Sequence, residues 1–318
     1  MLMTPTVEPR AAAADIEVPI PARLSRLGAH TLARIAGNPT GPLVAALGGI
    51  SADRFVAAGR YRSMGWWPGL VGPGLAVDPA RHRILGLDFA ADESGRYAPT
   101  THEQAELLAA AIESVGGAPA TIIGASYGGM IALALAERRP ELVERLVIIS
   151  APAVPHPAAT ALRELQRRIV ALGLASGRAL EAQSIARGLA MTTYRTHEEF
   201  AGRFAGGIPD ADPLSVSEPG AYLRARGDAY REVMSPERFL SLSGSIDRHR
   251  VDPARIAAPT LVLGAASDRL VPPEQSRELA DALADARLHI LDCLWGHDMF
   301  LKEAARLGKL IGPFLESE

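Results

Sequence analysis

Six short apolar runs, at residues 43–47, 83–88, 120–123, 146–150, 260–264 and 287–291, recur along this chain with helical patterning between them. Runs of this length and composition look like strands buried on both faces. Helical spacing marks residues 101–115, 129–139, 273–283 and 299–315. Strands alternating with helices predict an α/β fold, a mostly parallel sheet with helices on both faces. The chain has 318 residues, 48% of them hydrophobic, enough for one large domain with an insertion or for two modest ones.

The alternation stops between residues 153 and 252. This stretch is rich in Ala, Leu, Arg and Glu at helical spacing, as at 161–174 and 180–191, and holds no convincing strand. It reads as a helical insertion over the C-terminal edge of the sheet, where ligands bind in open α/β folds, and so as a lid. The expected division is a disordered Pro/Ala-rich tail at 1–15, a core at 16–152 and 253–318, and the lid at 153–252. There is no internal repeat and no phosphate loop of the G-x-x-x-x-G-K type.

A net charge of −3 gives no general attraction to nucleic acid or anionic membrane, and the basic runs Arg167-Arg168 and Arg248-His249-Arg250 read as solvated helix faces. The single cysteine, Cys293, excludes an intrachain disulfide and a cysteine-rich zinc site. It lies beside an apolar run and reads as packing. No apolar run nears the roughly 20 residues needed to span a bilayer, and no secretory leader is evident. These features predict a soluble, cytoplasmic protein with no bound metal.

Gly124-Ala125-Ser126-Tyr127-Gly128-Gly129 follows one strand-like run and opens a helical one. That is the strand, sharp turn and helix context of a G-x-S-x-G nucleophile. A serine hydroxyl needs a base within reach and a carboxylate to orient that base. Of eight histidines only His297, in Trp295-Gly296-His297-Asp298, follows a late strand, and Asp268 directly follows the run at 260–264. The chain order Ser126, Asp268, His297 is that of an α/β-hydrolase triad. Oxyanion donors would be the backbone N–H groups of Tyr127 and of Gly49 or Ile50, in Gly48-Gly49-Ile50.

Further segments resemble the homoserine O-acyltransferase family of the α/β-hydrolase superfamily. They are Gly65-Trp66-Trp67-Pro68-Gly69-Leu70-Val71-Gly72-Pro73-Gly74 with Asp78 and Asp88; Ser126-Tyr127-Gly128-Gly129-Met130; Ile185-Ala186-Arg187 with Thr193-Tyr194-Arg195-Thr196; Tyr222-Leu223-Arg224 with Gly227-Asp228; and Gly296-His297-Asp298. The resemblance runs from about Leu43 to Leu310. It implies an acyl-CoA donor, succinyl-CoA or acetyl-CoA, with no permanently bound cofactor. The acyl group would pass through Ser126 to the γ-hydroxyl of L-homoserine, in methionine synthesis. It further implies that Arg187 pairs with the homoserine carboxylate, that Asp298 takes its ammonium, that Tyr194 belongs to the same subsite, and that a homodimer forms. A short N-terminal region, a short stretch after Asp88 and Tyr127 in place of Met or Leu resemble a compact branch associated with succinyl-CoA. Arg54 is the candidate cation for the succinyl carboxylate. Serine is an alternative acceptor. An esterase or thioesterase with the same triad and a non-catalytic binding protein are the competing readings.

Overall fold

The computed structural model describes residues 13–57, 64–204, 206, 210–212 and 214–317. The apolar runs form strands β3 (Leu43–Leu47), β4 (Arg83–Leu87), β5 (Ala120–Ala125), β6 (Val143–Ile149), β7 (Thr260–Ala265) and β8 (Ala286–Leu291). Two strands precede them, β1 (Ala14–Pro19) and β2 (His30–Gly37), giving an eight-stranded sheet in the order β1-β2-β4-β3-β5-β6-β7-β8. β2 is antiparallel to both β1 and β4, and every pairing from β4 to β8 is parallel.

Alternate residues of the central strands feed two cores, as the period of two along a strand requires. Leu43, Ala45 and Leu47 join Ile122 against helices α1 (Thr101–Ser114) and α2 (Tyr127–Arg138). Val44 and Ala46 join Ile123, Val147 and Leu263 on the other face. There they meet the last two helices of the chain through Phe300, Leu307 and Ile311. Both faces are covered, so these strands carry continuous apolar runs rather than alternating ones.

The N-terminal hairpin corrects part of the expected tail. Residues 1–12 lie outside the described residues, but Ala14 and Asp15 belong to β1, which pairs in full with β2. Asp15 accepts a hydrogen bond from the buried Arg34 of β2 at 2.6 Å, an ion pair that holds the edge strand in register. A short polar edge strand lacks the apolar run that marks its neighbours, and this is why the pattern passes it by.

Between β6 and β7 the chain forms helices α3 (Pro157–Ala175), α4 (Ala179–Tyr194), α5 (His197–Arg203), α6 (Glu218–Tyr230) and α7 (Pro236–Asp247). Thr196, Ser217 and Ser235 cap α5, α6 and α7 with side-chain oxygens that accept from the backbone N–H three residues on. After β7 come α8 (Pro273–Ala282), then β8, α9 (Met299–Lys302) and α10 (Ala304–Glu316). The helical pattern at 299–315 is therefore broken at Glu303 into two helices. Trp67 is fully buried and its indole N–H donates to the Phe300 carbonyl at 2.8 Å, fastening the loop after β3 to α9. Among the described residues, no helix is long and apolar enough to cross a membrane.

His249 locks the end of the inserted helices to the core. Its Nδ1 lies 2.8 Å from Thr101 Oγ1 and its Nε2 lies 3.0 Å from the Pro152 carbonyl, so Nε2 donates and Nδ1 accepts from the threonine hydroxyl. Burial drives its pKa down from 6.5 to about 3, against the smaller pull of the hydrogen bond to Pro152. Between those values the unfolded chain binds a proton that the folded chain refuses, so stability falls as pH drops below 6.5. Chemical denaturation between pH 7 and pH 5 is expected to show a loss approaching about 1.4 kcal/mol per pH unit from this group. His249→Gln should remove that component of the slope.

Candidate active site

Ser126 stands between β5 and α2 with φ 53° and ψ −120°, a left-handed conformation that a non-glycine residue adopts only under constraint. The constraint is visible. Ser126 N–H donates to the Ile149 carbonyl of β6 at 2.8 Å, and Gly128 N–H donates to the Gly48 carbonyl after β3 at 2.8 Å. A Cβ at Gly128 would lie 2.5 Å from the Leu47 backbone, and one at Gly124 would lie 2.5 Å from the Gly128 carbonyl oxygen. Helix α2 thus starts so close to the ends of β3 and β5 that both glycines of the pentapeptide are sterically required.

His297 Nε2 lies 2.9 Å from Ser126 Oγ, and its Nδ1 lies 2.8 Å from Asp268 Oδ2. The second oxygen of Asp268 accepts the backbone N–H groups of Leu270 and Val271 at 2.9 and 3.0 Å. With its carboxylate accepting on both sides, Nδ1 carries the imidazole proton and Nε2 is left as the acceptor facing the serine. Burial of His297 opposes its positive charge, but the Asp268 carboxylate and its hydrogen bond outweigh that cost and hold the pKa above the usual histidine value. The turn bearing His297 is pressed against the insertion. Gly296 has φ 54°, a Cβ there would sit 2.9 Å from the Tyr194 carbonyl oxygen, and Thr196 Oγ1 donates to the Leu294 carbonyl at 2.7 Å.

Ser126 and His297 open into a cavity of about 880 Å³, counted out to its mouth, between the sheet and helices α3, α4 and α7. Gly49 and Ile50 form one wall. As the first residue of α2, Tyr127 has a backbone N–H without an intrahelical acceptor, beside the serine. Its side chain does something the pentapeptide alone does not reveal. It points away from the cavity, stacks edge-on against Phe89 with ring centroids 5.0 Å apart, and its hydroxyl meets Ser245 Oγ of α7 at 2.6 Å. Complete burial raises the phenol pKa, so it stays protonated.

Arg187 of α4 faces the same cavity. Its guanidinium lies 4.5 Å from the Tyr230 ring centroid and 5.1 Å from that of Tyr194, and its Nη1 reaches Tyr194 Oη at 3.4 Å. Among the described residues it has no carboxylate partner. Asp298, next to His297, also lines the cavity, with one oxygen accepting from Arg195 Nε at 2.6 Å. A cation and an anion therefore line the cavity beside Ser126 and His297. Arg195, inside a motif singled out in the sequence, acquires a definite task only here, that of anchoring Asp298.

Arg54 is placed elsewhere. It donates to Asp88 Oδ2 at 2.6 Å and to Asp15 Oδ2 at 3.2 Å, and it lines a neighbouring cleft with Asp53 and Arg238 rather than the cavity that holds Ser126. Its guanidinium is thus already paired with two protein carboxylates. Cys293 is half-buried against the C-terminal core, and burial pushes its thiol pKa up. Sequence reasoning missed Arg163 and Gln166 of α3, which line the cavity. They sit in an ordinary amphipathic helix with no motif around them. Among the described residues, no group of three or more His, Cys, Asp or Glu is placed to hold a metal ion.

A family model of the alpha/beta hydrolase fold matches residues 55–304. The chain is 38% identical over 292 residues to the homoserine O-succinyltransferase of Xanthomonas campestris pv. campestris, a match covering 89% of this chain and 78% of that one. It is 32% identical over 268 residues to the homoserine O-acetyltransferase of Deinococcus radiodurans, covering 79% and 78%. A homoserine O-acetyltransferase crystal structure from Bacillus anthracis superposes with a TM-score of 0.84 at 15% identity, covering 98% of this chain and 99% of that one. The likeness in structure speaks for the fold, and the sequence identity carries it further. The chain belongs to the α/β-hydrolase fold family and, within it, to the homoserine O-acyltransferases.

Proposed function

We propose that this protein transfers an acyl group, succinyl in preference to acetyl, from its CoA thioester to the γ-hydroxyl of L-homoserine through an ester on Ser126. The observation that carries the acceptor half of this reading is Arg187, a cation that among the described residues has no carboxylate partner, in the cavity that holds Ser126. A guanidinium held between two tyrosine rings suits bidentate capture of an amino-acid carboxylate. Asp298 would receive the ammonium on the oxygen that Arg195 leaves open, and the Tyr194 hydroxyl would complete the subsite. The succinyl donor is supported by the identity to the Xanthomonas homoserine O-succinyltransferase.

In the first half-reaction His297 Nε2 takes the Ser126 proton as Oγ attacks the thioester carbonyl. The tetrahedral oxyanion is met by the Tyr127 N–H and by that of Gly49 or Ile50, each worth about 3 kcal/mol to the transition state. When the C–S bond breaks, the proton passes from His297 to the leaving CoA sulfur. In the second half-reaction His297 deprotonates the homoserine γ-hydroxyl, which attacks the Ser126 ester and restores the free serine. Water competes with homoserine, so the inserted helices act as a lid that keeps the ester dry. The product would feed methionine synthesis in the cytoplasm.

Incubation with succinyl-CoA or acetyl-CoA, with and without homoserine or serine, tests the reading through CoA thiol release and the mass of the acylated product. Release that depends on homoserine supports it. Equal release without any acceptor makes the protein a hydrolase, and a preference for serine makes it a serine acyltransferase. Ser126→Ala should abolish the covalent acyl-enzyme seen by intact mass spectrometry and lower turnover by at least about 10⁴-fold. Arg187→Ala should lower kcat/KM for homoserine about a hundredfold while Ser126 is still acylated.

The raised His297 pKa fixes the sign of the pH dependence. Only the neutral imidazole can accept the serine proton, so acylation should fall on acidification with a midpoint above 6.5. Asp268→Asn removes the group that raises the pKa. It should shift this midpoint to lower pH and slow acylation by about 10⁴-fold, as followed by stopped-flow thiol release.

A further inference from the structure

The cavity has a second basic patch besides the Arg187 subsite. On α3, Arg163 and Gln166 lie one helical turn apart and both line the space above Ser126. Arg163 is held by Asp247, through Nε at 2.7 Å and Nη2 at 2.6 Å, with Thr160 Oγ1 at 3.3 Å from the same Nη2. Arg167 takes the other oxygen of Asp247 at 2.6 Å. Two guanidinium groups thus share one carboxylate, and the wall keeps one positive charge in excess. Among the described residues Arg163 Nη1 donates to no protein atom.

Gln166 is only 5% exposed, yet among the described residues its carboxamide has no hydrogen-bond partner. That amide is not sealed in the core but faces the cavity, where a ligand or solvent can pair with it. Arg163 is also close enough to lower the His297 pKa by charge repulsion, which sets it within electrostatic reach of the reacting centre. Arg187 has its own pair of tyrosine rings on the α4 side. The cavity therefore offers two separate receptors for negative charge around one serine.

We infer that Arg163 and Gln166 form the donor-specificity site, receiving the terminal carboxylate of a dicarboxylic monoacyl group while its thioester carbonyl lies at Ser126 Oγ. The inference rests on the proposed acyl transfer and names the structural origin of its donor preference, in place of Arg54. In the step itself a Ser126 Oγ–C ester bond forms, the C–S bond of the thioester breaks and CoA leaves as the thiol. The distal carboxylate is unchanged throughout. It is bound by the free N–H donors of Arg163 and by the amide NH₂ of Gln166. A neutral acyl chain of the same length would leave both unpaired, which is the condition under which a polar site discriminates strongly.

The test compares succinyl-CoA with butyryl-CoA, which has the same four-carbon chain without the carboxylate, as donors for Ser126 acylation by the full chain. The wild-type protein is expected to favour succinyl-CoA in kcat/KM by at least about tenfold. Gln166→Leu, which leaves the Asp247 ion pairs in place, and Arg163→Met should each reduce that ratio by about five- to tenfold or more, with Arg163→Lys retaining part of it. Thermal denaturation of each variant shows whether it is folded. Should Arg163→Met not fold, Gln166→Leu and Arg163→Lys decide the matter. A wild-type protein indifferent between the two donors, or a ratio unmoved in the folded variants, would overturn this inference alone. No thiol release by the wild-type protein from any of the acyl-CoA donors would overturn the acyl-transfer reading with it.

Discussion

The approach of helix α2 to the ends of β3 and β5 is the constraint on which the rest of the site depends. Two backbone hydrogen bonds, Ser126 to Ile149 and Gly128 to Gly48, draw the helix start into a gap that admits no Cβ at Gly124 or Gly128. The cost appears as the left-handed backbone of Ser126. What this secures is geometry. The hydroxyl is lifted out of the sheet toward His297, and the N–H of the next residue stays free beside it. A parallel sheet supplies the other two members at the same edge, because β7 and β8 end next to one another and release Asp268 and His297 there.

Electrostatics divide the cavity into regions. Ser126 and His297 lie at the centre, with the Asp268 carboxylate balancing charge on His297. Asp298 and Arg187 lie toward α4, and Arg163 with Gln166 lies toward α3. In the proposed reaction the two substrates arrive in turn and each carries a carboxylate, so separate cationic walls let one serine serve both without a shared receptor. The ion pairs around the cavity, Arg195 with Asp298 and Arg163 with Asp247, are partly buried and direct side chains more than they add stability.

Much of this was legible in the chain. The six central strands announce themselves because burial on both faces demands unbroken apolar runs, and Ser126, Asp268 and His297, which the fold brings within hydrogen-bond distance, each follow such a run. β1 and β2 are not legible in the same way. Edge position lets Asp15 and Glu17 stand in β1, while Arg34 of β2 is buried and paired with Asp15. The placement of Arg54 is illegible for a similar reason. Its neighbourhood in the chain, just after the oxyanion loop, suggested the cavity, while its two acidic partners come from distant segments. Arg163 and Gln166 are silent in sequence, since a helix position facing a cavity differs from one facing solvent only through tertiary packing.

Tyr127 joins two parts of the protein within one residue. Its backbone N–H stands beside Ser126, and its hydroxyl is bonded to Ser245 on α7, an inserted helix that also contributes Ile246 to the cavity wall. Helix α7 therefore cannot lift away without pulling on the residue that would hold the oxyanion. A bulky acyl chain that props the insertion open would strain the very donor its own reaction needs. The size limit on donors would then be written into the rate of bond making as well as into the room available for binding.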